Sequence, residues 1–190
     1  MNLFIKPHTG RYFSMEAMQK IKCLTIEDSN FPDRLRKLSG MPKKLYYIGN
    51  LPDPKKPAAA VVGARMCSPY GRCQAFKYAR TMASYGVQII SGMARGIDAE
   101  GHKGALDTDT PTFAVLGSGV DVCYPNSNRW LYQRILEKGG GIISELPPGS
   151  PPVNWAFPAR NRIISGLSDA VLVVEAKEQS GSLITANFAL

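Results

Sequence analysis

From residue 58 onward, short apolar runs alternate with longer stretches in which apolar residues recur at helical spacing. The runs are residues 58–62, 87–90, 112–116, 142–143 and 170–174, each bounded by glycine, proline or polar residues. They predict five buried strands. Residues 170–174, apolar throughout, predict a central one. Between the first two runs, Ala75, Phe76, Ala79, Met82 and Ala83 form a helical stripe. Ser68 suits the cap of that helix and Pro69 its first position; Gly86 ends it. Residues 96–106 predict a second helix whose face, Ile97, Gly101 and Ala105, is small enough for close packing. Residues 128–138 predict a third, closed by three glycines at 139–141. In a fourth, Pro158 takes the first position and Ile163, Ile164 and Leu167 form the stripe. Ser182 starts a last helix still running at Leu190, which predicts a domain continuing past this chain. Strands alternating with helices imply an α/β parallel sheet wound by right-handed crossovers.

Before residue 58 the pattern is weaker. Residues 1–22 read as a poorly defined extension. Residues 23–57 read as a lead-in: a short strand at 23–26, a helix opened by Asn30-Phe31-Pro32 and running through Leu35 and Leu38, a strand at 45–48, and a linker with three prolines and two lysines. Residues 58–190 are the expected main domain.

Charge changes the picture most. A formal net charge of +8 on 190 residues points to an acidic partner, foremost nucleic acid. Hydrophobic residues at 44% are enough for a real core. Cys23, Cys67, Cys73 and Cys123 make no C-x-x-C pair and have no histidine cluster beside them, so neither zinc nor a disulfide scaffold is expected. The N-terminus lacks the apolar core of a signal peptide, and no apolar run reaches membrane-spanning length. A reducing cytoplasm fits this usage.

In wound parallel sheets ligands bind at the carboxyl ends of the strands. The loops expected there hold Gly63-Ala64-Arg65, Ser91-Gly92 with Arg95, Gly117-Ser118-Gly119 and Ser180-Gly181-Ser182-Leu183. Glycine allows close backbone approach, and hydroxyls and arginines favour anions, so the loops read together as a phosphate-binding rim. The stretch from Phe157 adds Arg160, Asn161 and Arg162. Arg160 falls on the buried side of its helix and needs an anionic partner or a wet crevice. Two readings stand for Arg65: a phosphate contact, or an ion pair with Glu145 or Glu175. Asp98 and His102, four apart on one helix, are either an acid–base pair or a packing pair. G-x-G-x-x-G fails because Val122 stands where the third glycine belongs, and no G-x-x-x-x-G-K-[ST] loop exists.

Gly63-Ala64-Arg65, residues 91–98 with His102, Leu116-Gly117-Ser118-Gly119, Tyr124-Pro125-x-x-Asn128, Ser144-Glu145, residues 157–168 and residues 180–185 together resemble the DprA/Smf DNA-processing family in order and spacing. Phe31-Pro32-x-x-Leu35 and Leu45-Tyr46-x-x-Gly49-Asn50 resemble its lead-in. The resemblance implies an extended Rossmann-like, doubly wound, mostly parallel sheet with helices on both faces. It implies a binding protein for single-stranded DNA, without cofactor, metal or enzymatic activity. Such proteins protect incoming DNA in natural transformation and help load the RecA recombinase, as homodimers at full length. By position, Gly63, Arg65, Phe157 and residues 180–183 line the DNA path. One departure is that some relatives carry a lysine shortly before the Phe157 position, where this chain has Val153-Asn154-Trp155. The family's further domains before residue 23 and after residue 190 are not among these residues, which leaves dimerisation and RecA contact unassigned. The competing class is a nucleotide-binding or phosphoribohydrolase-like enzyme using the same crevice. Residues 179–184 lack the glycine pattern of such enzymes.

Overall fold

The computed structural model describes residues 21–36, 40 and 42–176. Within them one sheet holds seven strands: β1 (Lys22–Thr25), β2 (Lys44–Gly49), β3 (Ala58–Val62), β4 (Gln88–Ser91), β5 (Thr112–Val115), β6 (Gly141–Ser144) and β7 (Ala170–Val173). Their order is β1-β2-β6-β5-β4-β3-β7. The five strands from β6 to β7 run parallel. The lead-in supplies β1 and β2, which extend the same sheet antiparallel to β6. The helices are α1 (Asp33–Arg36), α2 (Pro69–Ser84), α3 (Ile97–Leu106), α4 (Arg129–Glu137) and α5 (Ala156–Gly166).

Side-chain alternation on β3 divides the core. Ala58, Ala60 and Val62 face one side, with Leu35, Ile163, Ile164 and Leu167 of the α1 and α5 layer. Ala59 and Val61 face the other, with Ala75, Ala79, Ala83 and Ile97 of α2 and α3. Beside that second cluster, Leu131, Tyr132 and Ile135 of α4 pack with Ala114 and Ile142. The sheet is thus covered on both faces, as expected.

Two expectations are corrected. β7 is not central: among the described residues it pairs only with β3 and ends the sheet. Its unbroken apolarity has another cause. Val171 and Val173 pack on the α5 side and Leu172 and Val174 on the α2 side, so both faces are covered although, among the described residues, only one edge is paired. Pro158 is the third residue of α5, not the first. It is tolerated there because the first four helical N–H groups have no intrahelical partner. The Ser68 cap is as read: its hydroxyl accepts from the Gly71 amide at 3.0 Å. The expected helix from Ser182, and the end of the helix through Leu38, lie outside the described residues.

The strand order contains a switch. From β3 the chain winds through β4 and β5 to β6 on one side, and β7 returns on the other side of β3. A crevice opens at the carboxyl ends of strands at such a point. The loop that follows β3 carries Arg65.

Candidate nucleic-acid interface

The floor of the crevice is built by Arg160. Its guanidinium donates to the carbonyls of Gly92 at 2.7 Å and of Val115, and its Nε to Asn161 Oδ1 at 3.1 Å. One side chain from α5 therefore ties the ends of β4 and β5 together. The Asp98 carboxylate lies 4.0 Å away, the anionic partner that a buried arginine requires. Asp98 also accepts from the amides of Gly92 and Ala94, which closes the loop before α3. Burial pushes the Asp98 carboxyl above its ordinary value, against the opposing pull of Arg160 and these amides. Burial likewise lowers Arg160, to about 10, with Asp98 opposing and the positive charge of Arg65 adding to the fall.

Of the residues expected at the site, Ser91, Arg160 and Asn161 have buried side chains, and Gly92 lies beneath the Arg160 guanidinium. Ser91 donates its hydroxyl to Val61 O at 2.6 Å. Gly92 is glycine because a Cβ there would sit 2.1 Å from the Arg160 guanidinium. Arg162 likewise has protein partners. It makes a two-pronged pair with Glu145 at 2.8 and 2.6 Å and donates to Gly40 O, so it staples α5 to the end of β6 and to the lead-in.

The rim above the floor brings together Arg65, Phe157 and an aromatic side chain that sequence reasoning passed over, Tyr124. The Arg65 guanidinium lies over the Phe157 ring, 5.2 Å from its centroid. Tyr124 flanks the same ring at 5.4 Å with the planes tilted by 34°. Gly117 lets the ring come down onto the sheet edge: a Cβ there would meet Phe157 Cδ1 at 2.8 Å. Gly63 likewise has no room for a side chain, with Ile97 and the Glu175 carbonyl within 2.7 Å. These glycines are packing glycines; the space each leaves is filled by protein. Arg65 is exposed and makes no ion pair among the described residues, and Arg95 is exposed on the loop after β4. Residues 180–183 lie outside the described residues. In the sequence Tyr124 is marked only as part of Tyr124-Pro125-x-x-Asn128, a motif of the family resemblance that carried no site role.

The two carboxylates once weighed as partners of Arg65 have other tasks. Glu145 holds Arg162. Glu175 accepts from the Ser68 amide and hydroxyl at the start of α2, the latter at 2.7 Å. A carboxylate thus occupies the positive end of the helix after the first parallel strand, where a dinucleotide's pyrophosphate would otherwise lie. His102 is fully buried, its Nδ1 2.8 Å from Thr112 Oγ1, and burial lowers its pKa to about 3. Among the described residues no group of three or more His, Cys, Asp or Glu side chains is placed to hold a metal ion, and no helix is long and apolar enough to cross a membrane.

The fold and rim define a Rossmann-like α/β module whose switch-point crevice carries a cation on an aromatic pair. The chain belongs to the family of DNA recombination-mediator protein A, whose model matches residues 22–190. It is 41% identical over 186 residues to DNA processing protein DprA of Streptococcus pneumoniae, covering 95% of this chain and 65% of that protein. An X-ray structure of DprA from Streptococcus pneumoniae superposes with a TM-score of 0.82, covering 92% of this chain and 61% of that one. DNA processing protein A from Helicobacter pylori is 32% identical with a TM-score of 0.78, covering 89% and 75%; its structure is described for a single-stranded DNA binding mode. The chain spans between 42 and 65% of the length of the first four curated relatives it matches.

Proposed function

We propose that this chain is a single-stranded DNA-binding module, and that the strand lies on the rim formed by Arg65, Phe157 and Tyr124. The observation that carries the reading is the stack itself: an exposed guanidinium on an aromatic pair, at the switch point of a basic α/β protein. Unstacked bases find aromatic faces there, and the phosphates find a guanidinium whose fork can hold two oxygens. Arg65 covers one face of Phe157, so a base takes that face only as the guanidinium swings to phosphate. Tyr124, 43% exposed, offers a second surface without that exchange.

Membership of the family supports a proposed role in the handling of incoming DNA during natural transformation; we further propose that the full-length protein protects the strand and helps load RecA, as a homodimer in the cytoplasm. We read it as a binding protein and not an enzyme. Asp98 and His102 are sealed below the rim and committed to the backbone and to Thr112. Glu175 at the start of α2 speaks against a nucleotide in the crevice.

The test is anisotropy with oligo-dT and a blunt duplex of equal length across a salt series. Preference for the single strand, with affinity falling as salt rises, is expected. Equal affinity for both, or release of free base from nucleoside monophosphates, overturns the reading.

A further inference from the structure

The solvent face of α2 is not explained by the rim. Its 16 residues include no Asp or Glu. Gly71, Ala75, Ala79 and Ala83 are its buried side. Tyr70 and Lys77, seven apart, fall on the opposite side two turns from one another, and Tyr78, the next residue, is exposed on the flank away from the groove. Tyr70 is 73% exposed, and Tyr85 at the C-cap, 83%. Beside Lys77 this groove, of about 690 Å³, runs between α2 and α3, lined by Arg72, Phe76 and Lys77 among others.

Charge decides what fits there. Both acids of the groove are matched: Asp107 holds Arg80 at 2.6 Å and Glu100 holds Lys103 at 2.8 Å. Arg72 and Lys77 are exposed and make no ion pair among the described residues. Two unmatched cations among exposed tyrosines suit a polyanion that also carries flat apolar faces. A free phosphate has no use for the tyrosines. Position narrows the choice further. α2 starts three residues beyond Arg65's neighbour Met66, and its length of about 24 Å leads away from the rim.

We propose that a single strand leaving the rim continues over the exposed face of α2, with its phosphates on Arg72 and Lys77 and its bases against Tyr70 and Tyr78. The proposal rests on the rim reading and adds a second segment to the path.

Anisotropy with oligo-dT of increasing length separates the two. Once the rim is filled, longer strands are expected to bind the unaltered chain more tightly. Their salt slope is expected to be steeper by about 1.4, two single-strand contacts at roughly 0.7 each. In an Arg72→Ala, Lys77→Ala double variant the long strand loses that added slope, while short-strand binding is unchanged. Tyr70→Ser with Tyr78→Ser, both on exposed side chains, is expected to cost the long strand roughly fivefold or more per tyrosine. It also provides the comparison should the first pair melt early. A gain with length that survives both pairs, or no gain in the unaltered chain, overturns the α2 segment and leaves the rim standing. Displacement of the long strand by polyglutamate as readily as by a DNA strand of equal charge also overturns it, in favour of an acidic protein segment. A short strand that fails to bind the unaltered chain overturns the rim reading itself.

Discussion

Arg160 and Arg65 are both arginines at the crevice, and the structure gives them opposite tasks. Replacing Arg160 with Met keeps an unbranched apolar stem and removes the guanidinium. The carbonyls of Gly92 and Val115 then lose their donor, and the buried Asp98 carboxyl loses its cation. Hydrogen bonds from a charged donor contribute about 1.5–3 kcal/mol each. Part of that is offset because the buried guanidinium no longer has to be desolvated, a cost visible in its pKa lowered to about 10. Breaking a buried pair from one side costs about 3–5 kcal/mol overall. For a chain of this size the melting midpoint then falls by roughly 6–20 °C, at about 2–4 °C per kcal/mol. Calorimetry or thermal circular dichroism reads the fall. The salt slope of oligo-dT binding, measured well below the midpoint, should not change, because Arg160 reaches no phosphate. A variant that keeps its midpoint and loses salt slope would refute the interior role and return Arg160 to the DNA path.

Three further outcomes are expected. Arg65→Ala should lower the oligo-dT salt slope by about 0.7 and weaken binding, while the midpoint hardly moves, since an exposed cation–π contact is worth about 0.5–1 kcal/mol; Arg65→Lys should restore the slope but only part of the affinity. Gly117→Ala should force Phe157 off the sheet edge, costing about 1–3 kcal/mol in denaturant unfolding and weakening oligo-dT binding together. His102 should make the fold acid-sensitive: the unfolded chain protonates it near its ordinary 6.5 and the folded chain only near 3, so stability is lost as pH falls through that window. The loss is about 1.4 kcal/mol per pH unit below 6.5. His102→Gln should remove that part of the slope in urea titrations at pH 7, 6 and 5; identical pH dependence in both chains contradicts the assignment.

The fold was largely legible because each core strand is a short apolar run and each long helix carries a stripe and a stop. The edge position of β7 was not, since apolarity reports covered faces and says nothing about how many strands lie alongside. At the crevice, residue types were legible and their orientation was not. Glycines after parallel strands signal close approach, but Gly92 makes room for Arg160 and Gly117 for Phe157, which only the fold brings near. Arg160 was read as needing a partner, and Asp98 is that partner, from a helix on the opposite face of the sheet. Arg65 and Phe157 come from separate stretches, and no spacing rule reports a contact across the 91 residues between them. Tyr124 sits in an irregular loop where no periodicity marks it.

The central claim is where the strand lies, and photocrosslinking tests it most directly. A short oligo-dT with 5-bromodeoxyuridine at successive positions is irradiated on the protein and the attached peptides are mapped by mass spectrometry. Attachment to Phe157 and Tyr124, reduced in Arg65→Ala at equal protein concentration in proportion to its weaker binding, is the predicted result. Attachment confined to the opposite edge of the sheet, around Phe31, Tyr47 and Leu51, with Phe157 and Tyr124 unlabelled, would contradict it.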